Sequence, residues 1–267
     1  TSGRKAYQAE LLGHRIDEIV LNGDLKENRF KGTVTVDDKV LGLEFNGLVD
    51  FNNKKYPVAD FEAVVDHADL TALELMKDDS VSEISTSIVA NLRGFNLDDL
   101  EGKVHLDNTV YQDGRGSYSM DSFDASIVND NLMQRKIKVT CDFFNFEMAG
   151  QMNFASLVPV FNQFGDSFVH FPVFQKDRDA FEKYALTHDV DQDFVVSLLL
   201  KDTKTLSRLF MPDLKIAKNT SVNGTFTSRS RQLNLTARSK CVEYGKLAIN
   251  NVELKNFGGV KAELVDH

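Results

Sequence analysis

The strongest constraint on this chain is a period-two alternation of apolar and polar residues that recurs along most of its length. Phe30, Gly32, Val34 and Val36 alternate with Lys31, Thr33 and Thr35. Leu41, Leu43 and Phe45 then alternate with Gly42, Glu44 and Asn46. Successive side chains of a β-strand point to opposite faces, so this spacing predicts strands with one apolar face. The pattern resumes through Val49 and Phe51, and again through Phe61, Ala63 and Val65. Ile84, Thr86, Ile88, Ala90 and Leu92 predict a further strand, as do the segments around Lys103–Leu106 and around Tyr118 and Met120. Residues 135–143 set Ile137, Val139 and Cys141 against Lys136, Lys138 and Thr140. Phe144, Phe146 and Met148 continue after a bulge or bend. Asp37-Asp38-Lys39, Asn52-Asn53-Lys54-Lys55 and Gly114-Arg115-Gly116 have turn composition.

A second, shorter series follows. Phe194, Val196, Leu198 and Leu200 predict one strand. Val222, Gly224 and Phe226 predict another, paired with Leu233, Leu235 and Ala237 across Arg229-Ser230-Arg231. Val242 and Tyr244, then Leu247 and Ile249, close the series. Helical spacing is confined to a few places. Leu157, Val158, Phe161, Phe164 and Phe168 predict a helix over 155–169, and residues 177–186 a short polar one. Residues 69–76 and 203–210 predict one- or two-turn helices, each following a strand, with Pro212 stopping the second. The expected organisation is a β series over 1–154, a helical or loop interruption over 155–192, and a second β series over 193–267. No Ser/Gly-rich linker separates them. Strand, polar turn and short helix recur near 61–73 and 194–206, a weak repeat that favours an elongated architecture.

Composition narrows the function classes. Phe occurs 20 times against 6 Tyr and no Trp, so apolar bulk comes from a ring with no polar handle. That suits a dry core or a lipid-facing wall. The formal net charge of −9 and the absence of a Lys/Arg cluster with interleaved aromatics argue against nucleic acid. The same net charge disfavours attraction of the chain as a whole to an anionic membrane surface. No apolar run approaches the ~20 residues of a helical membrane span. No signal peptide opens the chain, whose abrupt ends are expected of a segment from something longer.

Catalytic and metal motifs are missing. The six histidines, His14, His67, His105, His170, His188 and His267, form no HExxH, HxH or Cys/His cluster, and each reads as isolated. Asp189, Asp191 and Asp193 alternate like the start of a calcium loop, but Phe194 and Leu200 stand where Gly and Glu are required. No GxSxG, P-loop or GxGxxG occurs. Cys141 and Cys241 are read as separate strand residues, with pairing in an oxidising compartment left open. Three glycosylation sequons, at Asn219, Asn223 and Asn234, fit turns and exposed strand faces, and leave a secreted protein open. Neither a cofactor nor an enzyme activity is expected.

Alternation alone leaves two architectures. In a sandwich the apolar faces of two sheets bury each other. In an open or curled sheet they line a trough. The bare pattern favours the closed core.

Longer phrases shift that balance. Residues 43–51 (LEFNGLVDF), 57–63 (PVADFEA) and 68–75 (ADLTALEL) resemble a recurrent passage of TamB-type translocation and assembly module proteins from Bacteroidetes. Residues 91–102 (NLRGFNLDDLEG), 135–137, 141–143, 150–157, 206–214 and 222–226 continue the resemblance in order. Cys141 departs from it, where Ser is expected. The resemblance implies an AsmA-like protein anchored in the inner membrane and crossing the periplasm. Its β units would form a mostly β, elongated, curled antiparallel sheet, a β-taco, with an apolar concave face. The implied partners are phospholipid acyl chains and a TamA-type outer-membrane barrel protein. The candidate wall residues are Phe45, Val49, Phe51, Phe61, Val65, Ile88, Val139 and Phe146, with the groove-lining parity unassigned. A scaffold acting by β-augmentation and a closed adhesin-like sandwich are the other expectations.

Overall fold

The computed structural model describes residues 5–11, 14–76, 82–94, 96, 98–129, 134–153, 192–227, 232–257 and 263–265. Among the described residues, sixteen strands and one helix follow one another. They are β1 (Lys5–Leu11), β2 (His14–Lys26), β3 (Arg29–Asp37), β4 (Leu41–Asp50), β5 (Val58–Asp69) and β6 (Glu83–Arg93). Next come β7 (Glu101–Asp113), β8 (Gly116–Asn129), β9 (Arg135–Cys141), β10 (Phe144–Gln151) and β11 (Asp193–Leu200). Helix α1 (Lys204–Phe210), β12 (Leu214–Ile216), β13 (Thr220–Thr227), β14 (Gln232–Tyr244), β15 (Leu247–Phe257) and β16 (Glu263–Val265) complete the order.

The protein is mostly β, built on one large antiparallel sheet. Strands neighbour one another in chain order, with β12 set aside to pair β14. The sheet is not closed into a barrel: among the described residues β1 pairs β2 and β16 pairs β15, and nothing joins the two ends. The strands expected from alternation coincide with observed strands, except that Phe51 falls just past β4 and residues 142–143 just past β9. The chain divides into two compact units, residues 1–126 with 140–142, and residues 127–139 with 143–267.

In the first unit, buried Ile16, Val36, Val40, Ala68 and Leu73 form a core, with Ile19, Val34, Leu43, Val65 and Ile84 packed against it. Leu73 reaches this core from residues 70–76, which form a turn where a short helix was expected. Asp69 starts the turn by accepting from the amides of Thr71 and Ala72 at 3.0 and 2.9 Å. Glu74 then takes a left-handed conformation (φ 55°), which ends any helix after one turn. Register shifts interrupt the β1–β2, β4–β5, β5–β6 and β6–β7 pairings. Such bulges locally increase strand twist.

In the second unit, Ile137, Met148, Met152, Phe194 and Phe226 form the buried core. The rings of Phe194 and Phe226 lie 5.3 Å apart, opposite each other in register. Between β9 and β10 the expected bulge or bend is a bend at Asp142 and Phe143. Residues 203–210 bear out their helical spacing as α1, tied to β12 by Thr203 Oγ1 donating to the Ile216 carbonyl at 2.7 Å. Val242 and Tyr244 extend β14 instead of starting a new strand. The helices expected over 155–169 and 177–186, and the interruption at 155–192 apart from Gln192, lie outside the described residues.

Candidate functional site

Register decides which side chains share a face. Across the first unit, Phe30 opposes Val49, Val34 opposes Phe45, and Val36 opposes Leu43. Phe45 opposes Ala63, and Leu43 opposes Val65. Ala63 in turn opposes Ile88, and Phe61 opposes Ala90. Ile88 opposes Leu106. Directly opposed residues point the same way. Phe45, Val49, Phe61, Val65 and Ile88 therefore stand on one apolar face, together with Phe30 and Val34. Lys31, Glu44, Asn46 and Glu62 occupy the other face and are exposed.

This apolar face has two regimes. Near Leu73 it is closed, because Val36, Ala68 and Leu73 are 6, 5 and 3 % exposed. Val65 packs against that closed end. Farther along, Phe30, Phe45, Phe61 and Val49 are half-buried. The rings of Phe30 and Phe45 are 6.3 Å apart and those of Phe45 and Phe61 are 5.1 Å apart, in tilted pairs. Phe51 follows β4 in the loop and is 50 % exposed.

A row of glycines lies beneath these rings. Gly23 opposes Gly32, and Gly32 opposes Gly47, which in turn opposes Phe61. A Cβ on Gly23 or Gly32 would overlap backbone of the facing strand, and one on Gly47 would overlap Asp60 and Phe61. The backbones approach too closely here for any side chain. The row carries no side chains of its own, and Phe30 and Phe45, which flank it in register, approach each other over it.

In the second unit, Phe146, Leu198, Val222 and Ala237 line up across β10, β11, β13 and β14. Phe146 and Val139 pack against the buried core of that unit. The opposite face is mixed, with exposed Val195 among polar side chains. Lys136, Glu147, Ser197, Asn223, Thr225 and Asn234 border a shallow, open depression there. Asn234 Nδ2 donates to Thr225 Oγ1 at 3.2 Å. Two of the three sequon asparagines thus stand on this face, while Asn219 sits at a turn with φ 64°.

Ionisable groups form local pairs. His105 corrects the expectation of isolated histidines: Nδ1 lies 2.8 Å from Asp124 Oδ1, and Nε2 lies 2.8 Å from Asp107 Oδ2. Two carboxylates, Asp124 foremost, hold its pKa above the ordinary value. Arg115 holds the Asp113 carboxyl below its usual range, and Lys218 does the same for Asp202. Among the described residues, no group of three or more His, Cys, Asp or Glu could hold a metal ion. Asp189 and Asp191 lie outside the description; Asp193 begins β11. Cys141 and Cys241 both carry free thiols. Among the described residues no helix is long and apolar enough to cross a membrane.

Sequence reading did not anticipate the glycine row or the His105 triplet. Gly32 and Gly47 were visible in the alternation, but only register puts them side by side. Asp107 was two residues from His105, whereas Asp124 lies across a strand pair.

No family model, curated protein or solved structure matches this chain.

Proposed function

We propose that the apolar face of the first unit shields lipid acyl chains, as part of a TamB-type periplasmic protein that moves phospholipid towards the outer membrane. The observation that carries this reading is the half-buried Phe30–Phe45–Phe61 array over the glycine row. Phe rings give a wide apolar contact with no group that needs a hydrogen bond. An extended acyl chain would lie across the ring faces, which the side-chain-free glycine row lets settle close to the sheet. Each methylene withdrawn from water contributes about 0.8 kcal/mol. Six methylenes over the array would contribute roughly 5 kcal/mol before the cost of ordering the chain. A TamA-type barrel protein is the partner that this reading implies for the full-length molecule.

The site would need no covalent chemistry. Polar groups such as Glu44, Asn46 and Glu62 face away from the array and keep the other side wetted. Titration with a fluorescent fatty acid or phospholipid tests the reading. Wild-type protein is expected to saturate, and Phe45→Asp to lose at least about tenfold in affinity, because a charge would replace apolar contact. Equal uptake by wild type and Phe45→Asp would overturn it.

A further inference from the structure

Of the surfaces outside the apolar sheet face, one brings exposed apolar side chains together with a cluster of cations. At one end of the second unit, four large apolar side chains project into solvent. Phe210 is 77 % exposed, Met211 40 %, Tyr244 59 % and Leu247 62 %. They come from the end of α1 and from the β14–β15 hairpin, which meet around β12. Leu214 pairs with Tyr244, and Tyr244 pairs with Leu247. The Leu214 amide donates to the Met211 carbonyl at 2.9 Å, and the Gly245 amide to the Asp213 carbonyl at 3.0 Å. The four side chains therefore share one tip.

The charge around this tip is opposite to that of the chain. Residues 203–216 and 240–247 hold Lys204, Arg208, Lys215, Lys240 and Lys246, all exposed, against Asp213 and Glu243. Glu243 is itself engaged by Lys215 at 3.4 Å. The chain as a whole carries −9. A locally cationic rim around projecting Phe, Met, Tyr and Leu is the composition that enters a headgroup region. The apolar tips insert, Tyr sits at the water boundary, and Lys and Arg meet anionic headgroups.

We propose that this tip docks on an anionic lipid bilayer surface. The docking is a property of the tip and stands apart from acyl-chain uptake by the first unit. It also reverses what net charge alone suggests, since headgroups within a Debye length respond to the local cations. Phe210 and Leu247 would set the depth of insertion, and Lys204 and Lys246 the preference for negative lipid.

The test is co-sedimentation of the full chain with vesicles of phosphatidylcholine alone or mixed with phosphatidylglycerol, at low and high salt. Wild-type protein is expected to bind the mixed vesicles at least about tenfold more tightly than the neutral ones, with the preference falling at high salt. Phe210→Ser with Leu247→Ser should lower binding to mixed vesicles about tenfold or more. Lys204→Gln with Lys246→Gln should lower binding to mixed vesicles alone. These side chains are exposed, so the variants should keep the wild-type melting temperature and the wild-type uptake of soluble fluorescent fatty acid. Unchanged vesicle binding in Phe210→Ser/Leu247→Ser overturns the proposal. So does equal binding to neutral and anionic vesicles. Self-association of the wild type that this double variant abolishes, without any vesicle binding, would assign the tip to protein contact instead. Loss of fatty-acid uptake in Phe45→Asp bears on the sheet face and leaves this test untouched.

Discussion

Replacing Gly47 with Ala gives opposite answers from local propensity and from the structure. In an ordinary strand the change should help, because glycine costs roughly 0.5–1 kcal/mol relative to alanine. Here a Cβ would overlap Asp60 backbone and Phe61, so β4 and β5 must separate or slide. Forcing extra volume into a tight site costs typically 1–3 kcal/mol. The strain outweighs the propensity gain, and a net loss of about 1–2 kcal/mol is expected. Gly224 provides the comparison, since its Cβ would meet its nearest neighbours at 3.2–3.3 Å, two of them side-chain atoms. Gly224→Ala should therefore cost less. Urea unfolding of both variants, followed by circular dichroism, measures the difference. The Gly47 variant should also bind acyl chains more weakly, because parting β4 from β5 would displace Phe61 from its pairing with Phe45. A Gly47→Ala protein as stable as wild type, or more so, would refute the close approach of β4 and β5 on which the row depends.

Other consequences concern individual groups. Gly23→Ala and Gly32→Ala oppose each other in register, so the double variant should lose more than the sum of the singles by urea unfolding. The His105 pKa is raised by Asp124 and Asp107, so its contribution to stability is fully present below the ordinary value of 6.5 and fades as pH rises through the elevated folded value. An NMR titration should show this elevation, and Asp124→Asn should reduce it. Cys141 is buried and Cys241 partly exposed, so a thiol reagent should modify Cys241 first, with Cys141 slower by roughly tenfold or more. Equal rates would show that the β9 end opens freely.

Much of the sheet was legible because alternation is a local signal. Phe30 to Val36 and Phe194 to Leu200 name their own faces without help from any partner. The turns Asp37-Asp38-Lys39 and Gly114-Arg115-Gly116 were likewise legible, as Asp and Gly carry turn chemistry in their own side chains or backbone. The first two strands were not read, since residues 5–26 mix Glu, Asp and Arg into a pattern broken by the register shift between Tyr7 and Ala9. The segment 69–76 looked helical from Leu70, Leu73 and Leu75, but the left-handed Glu74 has no sequence signature. The array at Phe45 and Phe61 was named residue by residue, while its parity awaited register. The glycine row and the His105 triplet depend on partners across strands, which spacing along the chain does not encode. The cationic tip was hidden by a net charge that averages over the whole chain.

The proposed function puts lipid against one face of the first unit and not the other. Photo-crosslinking residues placed at Phe45, Phe61, Glu44 and Glu62 address it directly, because these positions alternate between the two faces of β4 and β5. After incubation with phospholipid, positions 45 and 61 are expected to yield lipid adducts by mass spectrometry, and positions 44 and 62 none. Adducts at all four positions, or at 44 and 62 alone, would contradict the assignment of this face to acyl chains.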